Sequence, residues 1–279
     1  MSKQTRFPKC SVLGLEVDAV TITEAIDHIV GLAGDAASGP RYVVKPYVEF
    51  VPVARRRPEV MELLNNAELC LADGVALQWA AAYQHRKRGL VALLRSLADI
   101  VVAPNQLRDP IAERHGGANF TLPLLRRCAD AGLGVYLIGS PTRNPIDVTA
   151  DHLRQQLPAL RITGMASGHL SADDEVQVVA ELRAVRPDIV LVGMGFPRQE
   201  ELIARVIPSV DHGIFIGEGG TFDYQEFGGG VRRAPALLQR AGLEWAWRLA
   251  LQPSRFRRQL ASPRFIADVY RERCAATSR

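Results

Sequence analysis

The stretch "DIVLVGMGFPRQE", residues 188–200, fixes the class of the fold. An apolar, mostly β-branched run ends at Gly193 and Gly195, and a helix-compatible segment opens at Pro197. A continuous apolar strand, unlike an alternating one, belongs to a parallel sheet covered on both faces. Working outward, "GVYLIGS" (134–140), "LRITGMAS" (160–167) and "GIFIGEGG" (213–220) repeat the pattern. Between these runs, residues 144–157, 172–185 and 199–207 have helical apolar spacing. The expectation is α/β: a doubly wound, Rossmann-like, mostly parallel sheet with helices on both faces. Such sheets bind ligands at the carboxyl ends of their strands.

The first third keeps the rhythm more weakly. "SVLGLEV", "RYVVKP" and "ELCLADG" read as strands; "TEAIDHIVGLAG", residues 51–66 and "VALQWAAAYQHR" read as helices. Residues 85–112 intermix apolar and basic side chains, which predicts an amphipathic helix facing the core or a membrane. Residues 1–231 are expected to form the core and residues 232–279 a basic helical appendage. From Arg232 onward, eleven arginines stand against Glu244, Asp268 and Glu272. That balance suits phosphates, nucleic acid or an anionic membrane surface, although a charge run is most often a solvated face.

The 279 residues, 47% hydrophobic and 23% charged, can bury a substantial core, and the net charge of +4 is modest. Cys10, Cys70, Cys128 and Cys274 are scattered without a CxxC pair and read as reduced thiols. The N-terminal residues lack the apolar core of a secretion signal, and no apolar run approaches the roughly 20 residues that span a bilayer. The expected location is cytoplasmic, with any membrane contact peripheral and on the inner face.

Strand ends carry the chemistry. Gly193 and Gly195, with Pro197 opening a helix, present backbone N–H groups and a helix dipole to an anion, or simply make a tight turn. Arg198 stands where the third glycine of a dinucleotide fingerprint would be, which opposes a nicotinamide oxidoreductase. Gly139 and Ser140 end one neighbouring strand, and Gly217, Gly219 and Gly220 another. Three converging polar loops point to a nucleotide or sugar site. Asp73, directly after "CLA", is either an N-cap or a general base, and spacing alone favours the cap. Arg114 and Asn119 fit a surface loop or a phosphate site equally. No histidine has metal-ligand spacing and no Asp-x-Asp pair is present, so no metal and no cofactor are expected; if the protein is a transferase, positive side chains or helix ends must stabilise the leaving diphosphate.

Several motifs in order, "ADGVALQWAA", "DIVLVGMGFPRQE", "GIFIGEGGTFDY", "RRAP" and "GLEWAWRLALQPSRFRRQL", resemble the WecG/TagA/CpsF glycosyltransferase family from about Val12 to Arg258. The resemblance implies an inverting transferase moving a sugar from a UDP-sugar to a polyprenyl-diphosphate-linked saccharide at the cytoplasmic membrane face. It makes Asp73, before Gly74, the base, and so reverses the cap reading. It matches Arg114 and Asn119 to an Arg-x-x-Gly-x-Asp segment, and Gly195, Pro197, Gln199 and Glu200 to a Gly-x-Pro-x-Gln-Glu segment. It also matches Arg233 to Arg-Ala-Pro and Glu244–Trp245 to a Glu-Trp signature, and implies an appendage that completes the site and binds membrane.

On this reading Asp73, Arg114 and Gln199 are catalytic. Gly217, Gly219, Gly220, Asp223 and Tyr224 approach the UDP-sugar, and Arg233, Arg255 and Arg258 approach its diphosphate. Gly228–Gly230 would be a hinge before a mobile tail. Two departures stand out: Lys45 and Tyr47 replace the usual Thr-x-Asn, and the stretch from Asp73 to Arg114 is about twenty residues longer than usual. Lys45 is expected to offer a positive charge suited to an acidic sugar. The rival reading is a catalytically silent UDP-sugar-binding subunit; nucleic-acid binding lacks a motif, and the sequence leaves a homo-oligomer open.

Overall fold

The computed structural model describes residues 7–35, 39–87, 89–140, 144–167, 171–253, 256 and 261–275. Six strands form one parallel sheet: β3 (Arg41–Val44), β4 (Leu69–Cys70), β5 (Gly134–Gly139), β6 (Arg161–Ser167), β7 (Ile189–Val192) and β8 (Ile214–Gly217). Their order is β4-β3-β8-β7-β5-β6, with every pairing parallel. The α/β expectation is therefore met, with helices covering the sheet as follows.

Every residue of β5, β7 and β8 is buried, because successive side chains point to opposite faces and both faces are covered. Val135, Leu137, Ile189 and Leu191 pack against α1 (Ile22–Ala33), α6 (Gly117–Asp130) and α7 (Ile146–Gln156). Tyr136, Ile138, Val190 and Val192 pack against α8 (Ala172–Val185) and α9 (Arg198–Val206). Full burial of such side chains contributes about 1.5–3 kcal/mol each, which is why these strands read as continuous apolar runs.

A third cluster lies under the first part of the chain. It joins α2 (Phe50–Ala54), α3 (Pro58–Asn65), α4 (Val75–Gln84) and α5 (Leu90–Val102) to α12 (Ala261–Ala275), whose Phe265 and Val269 are fully buried. Arg55 pairs with Asp268 at 2.9 Å, and Gln84 Nε2 donates to Glu272 at 2.9 Å, so α12 is fastened to the core. The short helices α10 (Ala236–Arg240) and α11 (Glu244–Leu251) precede it.

Three local expectations are corrected. "SVLGLEV" is a hairpin, β1 (Lys9–Val12) with β2 (Leu15–Asp18), because Leu13 and Gly14 both take positive φ and make a two-residue turn. The helix expected over 51–66 is two helices, with Pro58 at the first position of the second, since the residue before a proline avoids the helical region. Gly228 and Gly229 form a hydrogen-bonded turn where a hinge was expected: Gly228 has φ +79°, Gly229 N donates to Tyr224 O at 2.9 Å, and a Cβ on Gly229 would overlap the Asp223 carbonyl oxygen.

Candidate active site

The carboxyl ends of β3, β4, β7 and β8 converge on a cavity of ≈ 520 Å³. A second cavity of ≈ 340 Å³ adjoins it, and Asp73, Gly74, Gly116 and Glu244 line both. Asp73 is therefore in the partition. Backbone bonds put it there: Leu71 N donates to Val44 O, Asp73 N to Pro46 O and His115 N to Ala72 O, each at 2.9 Å.

Helix α4 is capped by Gly74 at φ +85°, with no side-chain cap bond. The Asp73 carboxylate is thus not spent on capping, and the cap reading falls. Gly116 lies so close to it that a Cβ there would overlap Asp73 Oδ1. Burial among these walls pushes the Asp73 pKa up to about 6; Lys45 opposes the shift, Glu244 adds to it and Arg248 opposes it. A carboxylate with that affinity for a proton accepts one from a hydroxyl more readily than an exposed one.

Lys45 lines the larger cavity, yet its charge does not face it unpaired. Its Nζ donates to Glu218 Oε2 at 2.7 Å, and the Thr121 hydroxyl meets the same oxygen at 2.6 Å. The expected charge for an acidic sugar is therefore compensated inside the protein. Glu218 Oε1 is buried without a hydrogen-bond partner among the described residues. Tyr47 also lines the cavity and meets Phe50 edge-on, with Phe50 stacked on Phe196.

Gln199 braces two loops. Its Oε1 accepts from Gly195 N at 3.0 Å and from Gly219 N at 2.8 Å, while its Nε2 donates to Glu200 at 2.7 Å. Gly217 has no room for a side chain, since a Cβ would sit 2.6 Å from Gln199 Nε2. The amide expected to act on substrate is thus largely occupied in holding Gly195, Gly217 and Gly219 at the cavity wall, where Gly220 joins them. Glu200 lies beneath, almost wholly buried, and burial pushes its pKa up to about 8.

Because the folded pKa of Glu200 exceeds its unfolded value, this group favours folding at acid pH and that contribution is lost as pH rises through about 8. From pH 4.5 to 7 the loss is roughly 3 kcal/mol. Glu200→Gln, which mimics the protonated acid, is expected to flatten that stretch of the stability–pH curve in urea titrations. An unchanged slope would show Glu200 ionised in the fold.

Arginines after residue 231 reach both cavities, Arg248 the larger and Arg240 the smaller. Arg248 lines the larger cavity and donates to Gly220 O at 2.8 Å, Asp223 Oδ2 at 3.0 Å and Tyr224 Oη at 3.1 Å, lying 4.5 Å over the Tyr224 ring. Arg233 is held by Glu244 at 3.0 Å and by Asn119 and Gln239 at 3.1 Å each. Arg114 lines the smaller cavity with Arg108, Arg240 and Asn119, and donates to Gln239 O at 2.8 Å.

Of the residues singled out in sequence, Gly139, Ser140, Gly193, Pro197, Glu200 and Arg233 line neither cavity. A Cβ on Gly139 would meet Ile146 at 2.7 Å, and one on Gly193 would meet Phe222 at 2.5 Å, so these glycines serve packing. Strand β5 lies beyond β7 from the cavity, which is why its loop does not converge with the others. Asp223 faces Arg248 and lines neither cavity, and Arg255 and Arg258 lie outside the described residues. Sequence reasoning missed Glu218 and left Arg248 within a tail group read equally as a solvated face or as a phosphate or membrane contact. "GIFIGEGG" carries the same strand–acid–glycine signal as "CLADG", so Glu218 was within reach; Arg248 was only one arginine among eleven.

The family model described as "Glycosyl transferase WecG/TagA/CpsF family" matches residues 10–93 and 97–279. The chain belongs to this family. It is a glycosyltransferase. A Bacillus spizizenii relative is 26% identical over 256 residues, 91% of this chain and 88% of its own length. A Staphylococcus aureus relative is 24% identical over 269 residues, 96% and 95%. Both are named N-acetylglucosaminyldiphosphoundecaprenol N-acetyl-β-D-mannosaminyltransferase.

Proposed function

We propose that the protein moves a sugar from a UDP-sugar to a saccharide carried on a polyprenyl diphosphate, by one inverting displacement and without a metal ion. The observation that carries this is the uncapped Asp73 carboxyl, pushed up to about 6, in the wall shared by two cavities. A donor in one cavity and an acceptor in the other would meet at that group. The names of the two relatives support a lipid-diphosphate acceptor and make UDP-N-acetylmannosamine the first donor to try.

The donor occupies the larger cavity, where Gly195, Gly219 and Gly220 let it approach the backbone and the buried Glu218 Oε1 accepts from a sugar hydroxyl. The acceptor enters the smaller cavity, whose Arg108, Arg114 and Arg240 suit a diphosphate. Asp73 takes the proton of the acceptor hydroxyl as that oxygen bonds to the anomeric carbon. The bond from that carbon to the diphosphate breaks on the opposite face, and UDP leaves with the bonding electrons. Arg248 offsets the charge that grows on the diphosphate, so residues 232–279 act as the unit that completes the site. Work at the cytoplasmic membrane face follows from the acceptor's chemistry.

Arg248→Ala is expected to lower turnover about 10²–10³-fold, with Arg248→Lys between it and the parent, since the lysine keeps charge but loses the fork. Saturating EDTA is expected to leave the parent rate unchanged. A rate lost with EDTA and restored by a divalent ion would overturn the metal-free step, and undiminished turnover by the alanine variant would remove Arg248 from it.

A further inference from the structure

Helix α5 turns an apolar face outward as well as inward. Its inward face mixes Leu93, Leu97 and Ile100, which join the core, with polar groups: Ser96 Oγ accepts from Trp79 Nε1 at 3.1 Å, and Asp99 pairs with Arg86. Its outward face is apolar. Leu90, Leu94 and Val101 are exposed, as are Val91 and Val102 at 81% and 80%. At 100° per residue these five positions and exposed Ala98 fall within one third of the helix circumference. A helix facing water shows the opposite arrangement.

We propose that this outward stripe of α5 docks on an anionic lipid bilayer. The helix has 13 residues, so it is about 20 Å long and too short to span. Among the described residues no helix is long and apolar enough to cross a membrane. It therefore lies in the plane of the interface. Exposed cations rim the stripe: Lys87 just before the helix, Arg95 at the edge of the apolar arc and Arg108 beyond its end. An apolar face with a cationic border is complementary to acyl chains beneath anionic headgroups. A second copy seated on the same stripe would instead bring these cations against their own copies, which costs binding energy.

The same element walls both cavities. Leu97 and Ile100 on its inner side line the larger, and Pro104 and Leu107 in the turn that follows line the smaller. Docking of α5 thus sets the reaction chamber against the lipid surface, where a lipid-linked acceptor presents its saccharide. That consequence rests on the transfer proposed above; the docking itself does not.

The test is flotation of the full chain with vesicles of phosphatidylcholine and phosphatidylglycerol, beside vesicles of phosphatidylcholine alone. The parent is expected to float with the anionic vesicles and to be released by added salt. Val91→Glu with Val102→Glu, both outside the cavities, is expected to lower vesicle partitioning at least about tenfold. Circular dichroism should be unchanged, and so should turnover on a water-soluble, short-prenyl acceptor. Lys87→Glu with Arg95→Glu is expected to remove the preference for anionic vesicles. Equal flotation of parent and Val91/Val102 variant overturns the proposal, as does a parent that does not float. A parent dimer that this variant makes monomeric overturns it too, assigning the stripe to a second copy. Docking through α5 without sugar transfer would leave this inference standing and sink the transfer reading; transfer without α5-dependent docking would do the reverse.

Discussion

Asp73→Asn lowers turnover by about 10²–10⁴-fold while leaving UDP affinity and the melting temperature close to those of the parent. The change keeps shape and removes the proton acceptor, so the partition between the cavities stays intact. The carboxylate has no cap bond to lose, because Gly74 caps α4. The parent rate is expected to carry the signature of this group. With the Asp73 pKa at about 6, the active, ionised form is depleted below that pH. The kcat/KM of the parent therefore rises with pH through about 6 and levels off above it, and the asparagine variant lacks that limb. A variant with near-parental turnover, or one with the same limb, would take the base role away from Asp73.

The second large effect is on stability. Lys45 and Glu218 are both almost wholly buried, 2.7 Å apart, with Thr121 on the shared oxygen. Removing one partner of a buried pair strands the other charge and costs about 3–5 kcal/mol, whereas an uncharged pair of similar size is often neutral. Lys45→Met is expected to lose that much in urea titrations, and Lys45→Met with Glu218→Gln to regain more than half of it. Parental stability in the single variant would mean that the pair does not carry its charges in the folded state. Because Lys45 is compensated, Lys45→Thr is expected to change stability before it changes the choice between acidic and neutral donors.

The sheet was legible because three strands buried on both faces, β5, β7 and β8, leave nearly unbroken apolar runs between amphipathic helices. The β1–β2 hairpin was not, because Leu13 at positive φ is a conformation its residue type does not announce. Glycines after strands were read as one class, yet they divide. Gly195 and Gly219 are held at the cavity by Gln199, while Gly139 and Gly193 make room for Ile146 and Phe222. The neighbours that distinguish them come from other elements, so no local pattern carries the difference. Asp73 was legible as a candidate, and the choice between cap and base needed the conformation of Gly74. Arg248 acquires its role from Gly220, Asp223 and Tyr224, more than twenty residues upstream, which composition cannot reveal. The outward apolar stripe of α5 was half legible: the mixture of apolar and basic residues was plain, and which face met the core was not.

The most direct measurement is UDP release by the purified full chain from a panel of UDP-sugars, with and without N-acetylglucosaminyl polyprenyl diphosphate and with EDTA present. The account predicts release from one donor, dependent on the acceptor and abolished with Asp73→Asn. UDP binding without release from any donor, in the presence of acceptor, would contradict it.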